Sequence, residues 1–163
     1  MMAKAKKSQS PLPKLVQYAL ENVPHEVTTF PADMRDAEEI AARLNLPPGQ
    51  LFKTLVVIRP NKGKPILVMI PADRQLDLKK VATAVSEKKL TMASHAEAEA
   101  ITRLQVGGIS ALALLNKGFD IYIDDSAQAY PQIYVSGGQR GLDVKVGVTD
   151  LLRITGARPI PAT

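Results

Sequence analysis

One lysine stands two residues ahead of an apolar, β-branched run, in Leu51-Phe52-Lys53-Thr54-Leu55-Val56-Val57-Ile58-Arg59. The run Leu55 to Ile58 reads as a strand buried on both faces, so the stem of Lys53 starts in the interior. Desolvating an ammonium is costly unless an anion meets it. Two readings stand. Lys53 snorkels to the surface or pairs with a structural carboxylate, or it is a fixed positive charge at the mouth of a pocket. Two glycine stretches offer further chemistry. Val106-Gly107-Gly108-Ile109-Ser110 lets backbone approach a ligand with N–H groups turned outward, and an ordinary turn would look the same. Ser136-Gly137-Gly138 with Arg140, Gly141 and Asp143 gathers a hydroxyl, a guanidinium and a carboxylate within eight residues. A hairpin closed by a salt bridge would share that pattern.

Other chemistry is poorly provided for. The two histidines, His25 and His95, stand in no catalytic frame. His95 falls in the first turn of an expected helix, a place for solvation or capping. Asp124-Asp125 is an acidic pair at a strand end, which reads as a turn or, less often, as a metal contact. Zero cysteines exclude a disulfide scaffold, a thiolate zinc site and a Cys nucleophile. What remains is electrostatic stabilisation by backbone donors.

The chain must supply a frame for these groups. Its 163 residues are enough for one domain with a sizeable core. Hydrophobic residues make up 45% and aromatics only 4%, with no Trp, so the core is aliphatic and base-stacking platforms are not expected. The net charge of +5 includes Lys4, Lys6 and Lys7, in a stretch (1–10) that reads as a disordered basic tail. A basic surface suits an anionic partner such as RNA. No apolar run approaches the ~18 residues of a membrane span, and no signal-peptide core opens the chain, so a cytoplasmic protein is expected.

Helical periodicity runs through Leu12, Leu15, Val16, Ala19, Leu20 and Val23, with Pro13 in the first turn. His25 to Phe30 reads as a short strand. Asp36 and Glu39 resemble a capping box opening a helix through Leu44. Pro47-Pro48-Gly49 ends it and delivers the chain to the Lys53 strand. Residues 60–65 form a hairpin loop before the strand Ile66 to Ile70. Asp77 caps a helix through Val85, and Ser94 with Glu97 opens another through Ile101. Strands follow at Phe119 to Ile123, Ile133 to Val135 and Leu142 to Val146. Asp150 is expected to cap a last helix, Leu151 to Ile154. Residues 11–156 read as a single domain and 157–163 as a C-terminal tail. The class is α+β, a mixed sheet curled like a barrel and flanked by helices.

Four blocks in order carry a resemblance: Leu51 to Val57, Gln75-Leu76-Asp77-Leu78-Lys79-Lys80-Val81, Val106 to Ser110, and Ile133-Tyr134-Val135-Ser136-Gly137-Gly138-Gln139-Arg140-Gly141-Leu142-Asp143. Together they resemble the YbaK/EbsC family of free-standing aminoacyl-tRNA deacylases, related to the editing domain inserted in bacterial prolyl-tRNA synthetases. The resemblance runs from about Leu12 to Ile154 and is nearest to the YbaK branch.

That resemblance implies hydrolysis of Cys-tRNA(Pro), and of Cys-tRNA(Cys) as a further substrate, in a pocket for the aminoacylated 3′ end. Other outcomes it leaves open are a deacylase for another small amino acid, as in Ala-tRNA(Pro), and a non-catalytic tRNA- or synthetase-binding module. Carried over by position, Lys53 is the pocket lysine, with Gly107 and Gly108 in the catalytic loop. Phe30, Thr54, Ile109, Ser110, Ser136 and Asp143 are implied to bind substrate. The substrate's own thiol is implied to attack the ester, so no protein nucleophile, metal or cofactor is expected. Prolyl-tRNA synthetase is a possible partner, and the oligomeric state is left open. One departure stands out. The family's loop reads Gly-x-x-x-Pro, whereas Ala111 holds the proline position here, which implies a looser loop.

Overall fold

The computed structural model describes residues 10–163, so most of the expected basic tail, including Lys4, Lys6 and Lys7, lies outside the described residues. The chain runs α1 (Lys14–Ala19), β1 (His25–Thr29), α2 (Ala37–Arg43), β2 (Phe52–Ile58) and β3 (Ile66–Pro71). It continues through α3 (Leu78–Ala84), β4 (Thr91–Met92), α4 (His95–Thr102) and β5 (Asp120–Asp124). The last elements are β6 (Gln132–Ser136), β7 (Leu142–Gly147), α5 (Val148–Thr155) and β8 (Arg158–Ile160).

The strands form two open sheets, ordered β1-β7-β6 and β4-β2-β3-β5-β8. The expected class holds, but the sheet does not close into a barrel. A parallel bridge between Leu51 and Tyr134 links the two sheets. β3 is the strand buried on both faces, and its period-two alternation serves two cores. Leu67 and Met69 join Val56, Ile123, Ile133 and Val144 on one side, while Ile66, Val68 and Ile70 meet Val57, Val81 and Tyr122 on the other. β2 was expected to be buried in the same way. Its residues Lys53, Thr54 and Leu55 are only half-buried, because a cleft opens beside them.

Local chemistry accounts for the helix starts. Asp36 accepts from the Glu39 N–H, and Asp77 accepts from the N–H groups of Lys79 and Lys80. Ser94 and Glu97 form a reciprocal capping box at α4, which satisfies two otherwise orphaned donors. α5 departs from expectation. It starts at Val148 behind Gly147, and Asp150 lies inside its first turn, paired with Arg153 at 3.1 Å. A carboxylate in the first turn suits the helix dipole without being the cap.

The segment 157–163 is not a tail. β8 pairs in parallel with β5, and buried Asp124 accepts from the Ala162 N–H at 2.9 Å and the Thr163 hydroxyl at 3.2 Å. Asp124 is therefore occupied in holding this segment. A three-residue strand with Pro159 at its centre gives almost no periodic signal.

Candidate active site

The site begins at an incomplete strand edge. β4 pairs only with Val57 and Ile58, and Ala93 N–H closes the pairing on the Val56 carbonyl at 3.0 Å. Backbone groups facing one edge recur at every second residue. The N–H and C=O of Thr54 therefore face that same edge, where no strand covers them. A cavity of about 320 Å³ occupies the gap.

Lys53, Thr54, Gly107, Ile109, Ser136 and Asp143 all line this cavity. They come from β2, from the loop after α4, and from the paired strands β6 and β7, where Ser136 stands opposite Asp143. Three other expected site residues lie elsewhere. Phe30 packs with the small cluster of Ile40, Ala41, Leu51 and Ala72. Ser110 is 1% exposed, and its hydroxyl accepts from the Leu112 N–H, capping the short turn Ala111–Ala113. Gly108 is buried and donates its N–H to the Gln105 carbonyl at 2.8 Å. It has no amide left for a ligand.

The two neighbouring glycines thus do different work. Gly107 lies at φ +96°, a left-handed conformation that L side chains rarely adopt, and it faces the cavity. Gly108 lies against the loop 137–141. A Cβ there would come within 2.9 Å of the Gln139 carbonyl carbon and the Arg140 nitrogen. Arg140 completes the junction, its Nε donating to the Val106 carbonyl at 2.8 Å, while Glu99 accepts from the Val106 N–H at 2.8 Å. The two glycine stretches are clamped together. Arg140 forms no ion pair with Asp143, so the closed hairpin bridge is not the reason for this motif.

Electrostatically, the cavity holds groups without partners. Among the described residues Lys53 makes no ion pair, and its Nζ lies 3.5 Å from the Ala72 carbonyl, a long and weak contact. The structural-carboxylate reading of Lys53 therefore fails. Thr54 Oγ1 is buried with no hydrogen-bond partner, an arrangement that costs about 1–3 kcal/mol until something satisfies it. Ser136 Oγ accepts from the Gly138 N–H at 3.2 Å, which leaves its own hydrogen to donate. Asp143 is 6% exposed, and burial pushes its carboxyl from 3.8 up to about 7.

Sequence reasoning missed Arg35, Met92 and Ala93 as cavity-lining residues; His95, exposed in the first turn of its helix as expected, lines the cavity as well. β4 is two residues long, too short for any alternation to announce it. Arg35 is exposed and immediately precedes a helix cap, where a charge ordinarily means solvation.

With this geometry fixed, comparison with known proteins is decisive. The profile of the aminoacyl-tRNA editing domain matches residues 31–154. The chain belongs to that family. A relative from Enterococcus faecalis, inferred to be the Cys-tRNA(Pro)/Cys-tRNA(Cys) deacylase EbsC, is 35% identical over 156 residues, covering 94% of this chain and 93% of the relative. A crystal structure described as an inferred trans-editing enzyme for prolyl-tRNA synthetase superposes with a TM-score of 0.79 at 27% identity, covering 94% of this chain and 98% of its own. A second structure, from work grafting epitopes onto scaffold proteins, gives 0.80 at 27% identity with the same coverage.

Two features of this editing domain bear on its behaviour. Ala111 is 3% exposed and starts its short turn after Ser110, which lies at φ −136°, ψ 130°. That extended conformation is what a following proline requires. The backbone ahead of Ala111 is thus one that a proline would accept, and Ala111 itself is packed in the core.

The second feature is Asp143, whose raised pKa makes stability pH-dependent. The folded state holds the proton more tightly than the unfolded chain, so stability falls as pH rises from 3.8 to about 7. At neutral pH the ionised, buried carboxylate costs on the order of 4 kcal/mol at most. Asp143→Asn should therefore gain stability over the wild type progressively across that window in urea titrations, and show no difference at pH 3. A gain independent of pH would mean that the carboxyl does not titrate there.

Proposed function

We propose that this protein hydrolyses cysteine esterified to proline tRNA, in the cytoplasm, and accepts Cys-tRNA(Cys) as a second substrate. The observation that carries the reading is the set of polar groups with hydrogen-bonding capacity to spare around one cavity: the Lys53 ammonium, the Thr54 hydroxyl, the Gly107 loop and the Ser136 hydroxyl. These are groups that stabilise charge. None is an activated nucleophile. The family and the Enterococcus relative supply the substrate class.

In this scheme the aminoacylated 3′ end of tRNA enters beside the free edge of β2. Lys53 neutralises charge developing on the ester oxygens, and donors of the Gly107 loop meet the carbonyl as it becomes an oxyanion. The thiol of the bound cysteine, as thiolate, attacks its own carbonyl carbon. A four-membered thiolactone closes as the bond to the ribose oxygen breaks, that oxygen takes a proton from solvent, and water then opens the released thiolactone to cysteine. Asp143, whose burial leaves its carboxyl only partly ionised at pH 7, repels the thiolate less than a fully ionised carboxylate would. Gly108 and Ser110 serve the loop's shape, and Phe30 supports the neighbouring cluster.

His95 at the cavity rim favours a second reading, in which an activated water attacks any small aminoacyl ester. Purified protein assayed on Cys-tRNA(Pro), Ala-tRNA(Pro) and Cys-tRNA(Cys) tests the proposal. Release of cysteine from both tRNAs, with alanine spared, is expected. No release from any of them would leave a binding module, and a second set of assays with prolyl-tRNA synthetase added shows whether that enzyme must be present.

A further inference from the structure

Arg35 stands at the cavity without a partner of its own among the described residues. It lines the same space as Lys53 and Gly107 and is exposed. Its Cγ lies 3.6 Å from where a Gly107 Cβ would be, and the Arg140 stem flanks the same point at 3.4 Å. The two arginines are differently employed. Arg140 is committed to the Val106 carbonyl. Arg35 makes no ion pair or side-chain hydrogen bond among the described residues, and its neighbour Asp36 is occupied in accepting from the Glu39 N–H. A guanidinium fork is therefore uncommitted at the cavity, on a stem that lies against the loop to which the ester carbonyl is assigned.

A guanidinium matches a phosphate in shape and charge. In an aminoacyl-tRNA the nearest phosphate to the ester is the phosphodiester on the 5′ side of the terminal nucleoside. We propose that Arg35 binds this phosphodiester and so positions the ester over Gly107, leaving Lys53 to serve the ester itself. Arg35 is a substrate-positioning residue in this scheme. The assignment rests on the deacylase reading above.

Three readouts test it. Arg35→Ala should raise KM for Cys-tRNA(Pro) about tenfold or more, the loss of one charged hydrogen-bonding partner, with kcat nearly unchanged. Arg35→Lys should recover part of that loss. The slope of log KM against log salt should become shallower by about 0.7 in Arg35→Ala, as one single-strand phosphate contact disappears. Cysteine esterified to adenosine without a 5′ phosphate should be hydrolysed equally by wild type and variant. Equal losses on the nucleoside ester and on the tRNA would place Arg35 at the ester, and no loss on either would remove it from the site. Both outcomes overturn the proposal. Binding of an uncharged RNA oligonucleotide ending in CCA separates this idea from the reading beneath it. A weakened Kd in Arg35→Ala supports the phosphate contact even if no ester is cleaved, while an unchanged Kd contradicts it.

Discussion

Lys53→Ala should lose about 10²- to 10³-fold in single-turnover deacylation of Cys-tRNA(Pro), the usual scale for removing one donor of an oxyanion site. Its stability should stay within about 0.5 kcal/mol of wild type, because the lysine makes no ion pair and only a long contact to Ala72. That separation of activity from stability is the signature of a group held for substrate. Lys53→Arg should recover only part of the rate. A planar fork carries its charge farther from the stem and demands two coplanar partners, whereas an ammonium acts as a point charge. Turnover near wild type in folded Lys53→Ala would take this residue out of the mechanism.

Gly108→Ala should be nearly as damaging by a different route. The added Cβ would lie 2.9 Å from two backbone atoms of the facing loop, and backbone has no rotamer through which to yield. Overpacking of this kind costs about 1–3 kcal/mol. Relief comes only by moving the loop that carries Gly107, and a shift of about 1 Å at a reacting centre can cost about a hundredfold in rate. Both stability and kcat should fall together. Gly147→Ala is the control, since its nearest contact is an ordinary 3.5 Å. Urea denaturation and single-turnover assays on the pair check this, and wild-type behaviour in Gly108→Ala would show that the two loops are not locked.

What the sequence made legible was whatever has a local signature. Asp36, Asp77 and Ser94 announced their helices through side-chain oxygens at fixed offsets from backbone donors. The apolar run at Ile66 announced a strand, and order and spacing of four motifs announced the family. The difference between Gly107 and Gly108 was not legible, because it depends on Arg140 and Gln139, some thirty residues away. Ser110 was implied as a site residue by its position in the family's loop, and position does not say that its hydroxyl caps a turn instead. β8 and β4 are too short to have a period. Arg35 needed the cavity to be seen, since nothing in Met34-Arg35-Asp36 separates a substrate contact from a solvated charge.

The central claim is that the substrate's thiol, and not a group of the protein, opens the ester. The most direct measurement is the ratio of single-turnover rates on Cys-tRNA(Pro) and Ser-tRNA(Pro), two substrates of nearly equal size. A thiol is partly ionised near neutral pH and strongly nucleophilic, while an unassisted hydroxyl is neither. The account predicts that the serine ester is cleaved far more slowly, with the cysteine rate rising with pH toward the thiol's own ionisation near 8.5. Equal rates on the two esters would contradict it and make the attacking group an activated water, with His95 as its candidate base.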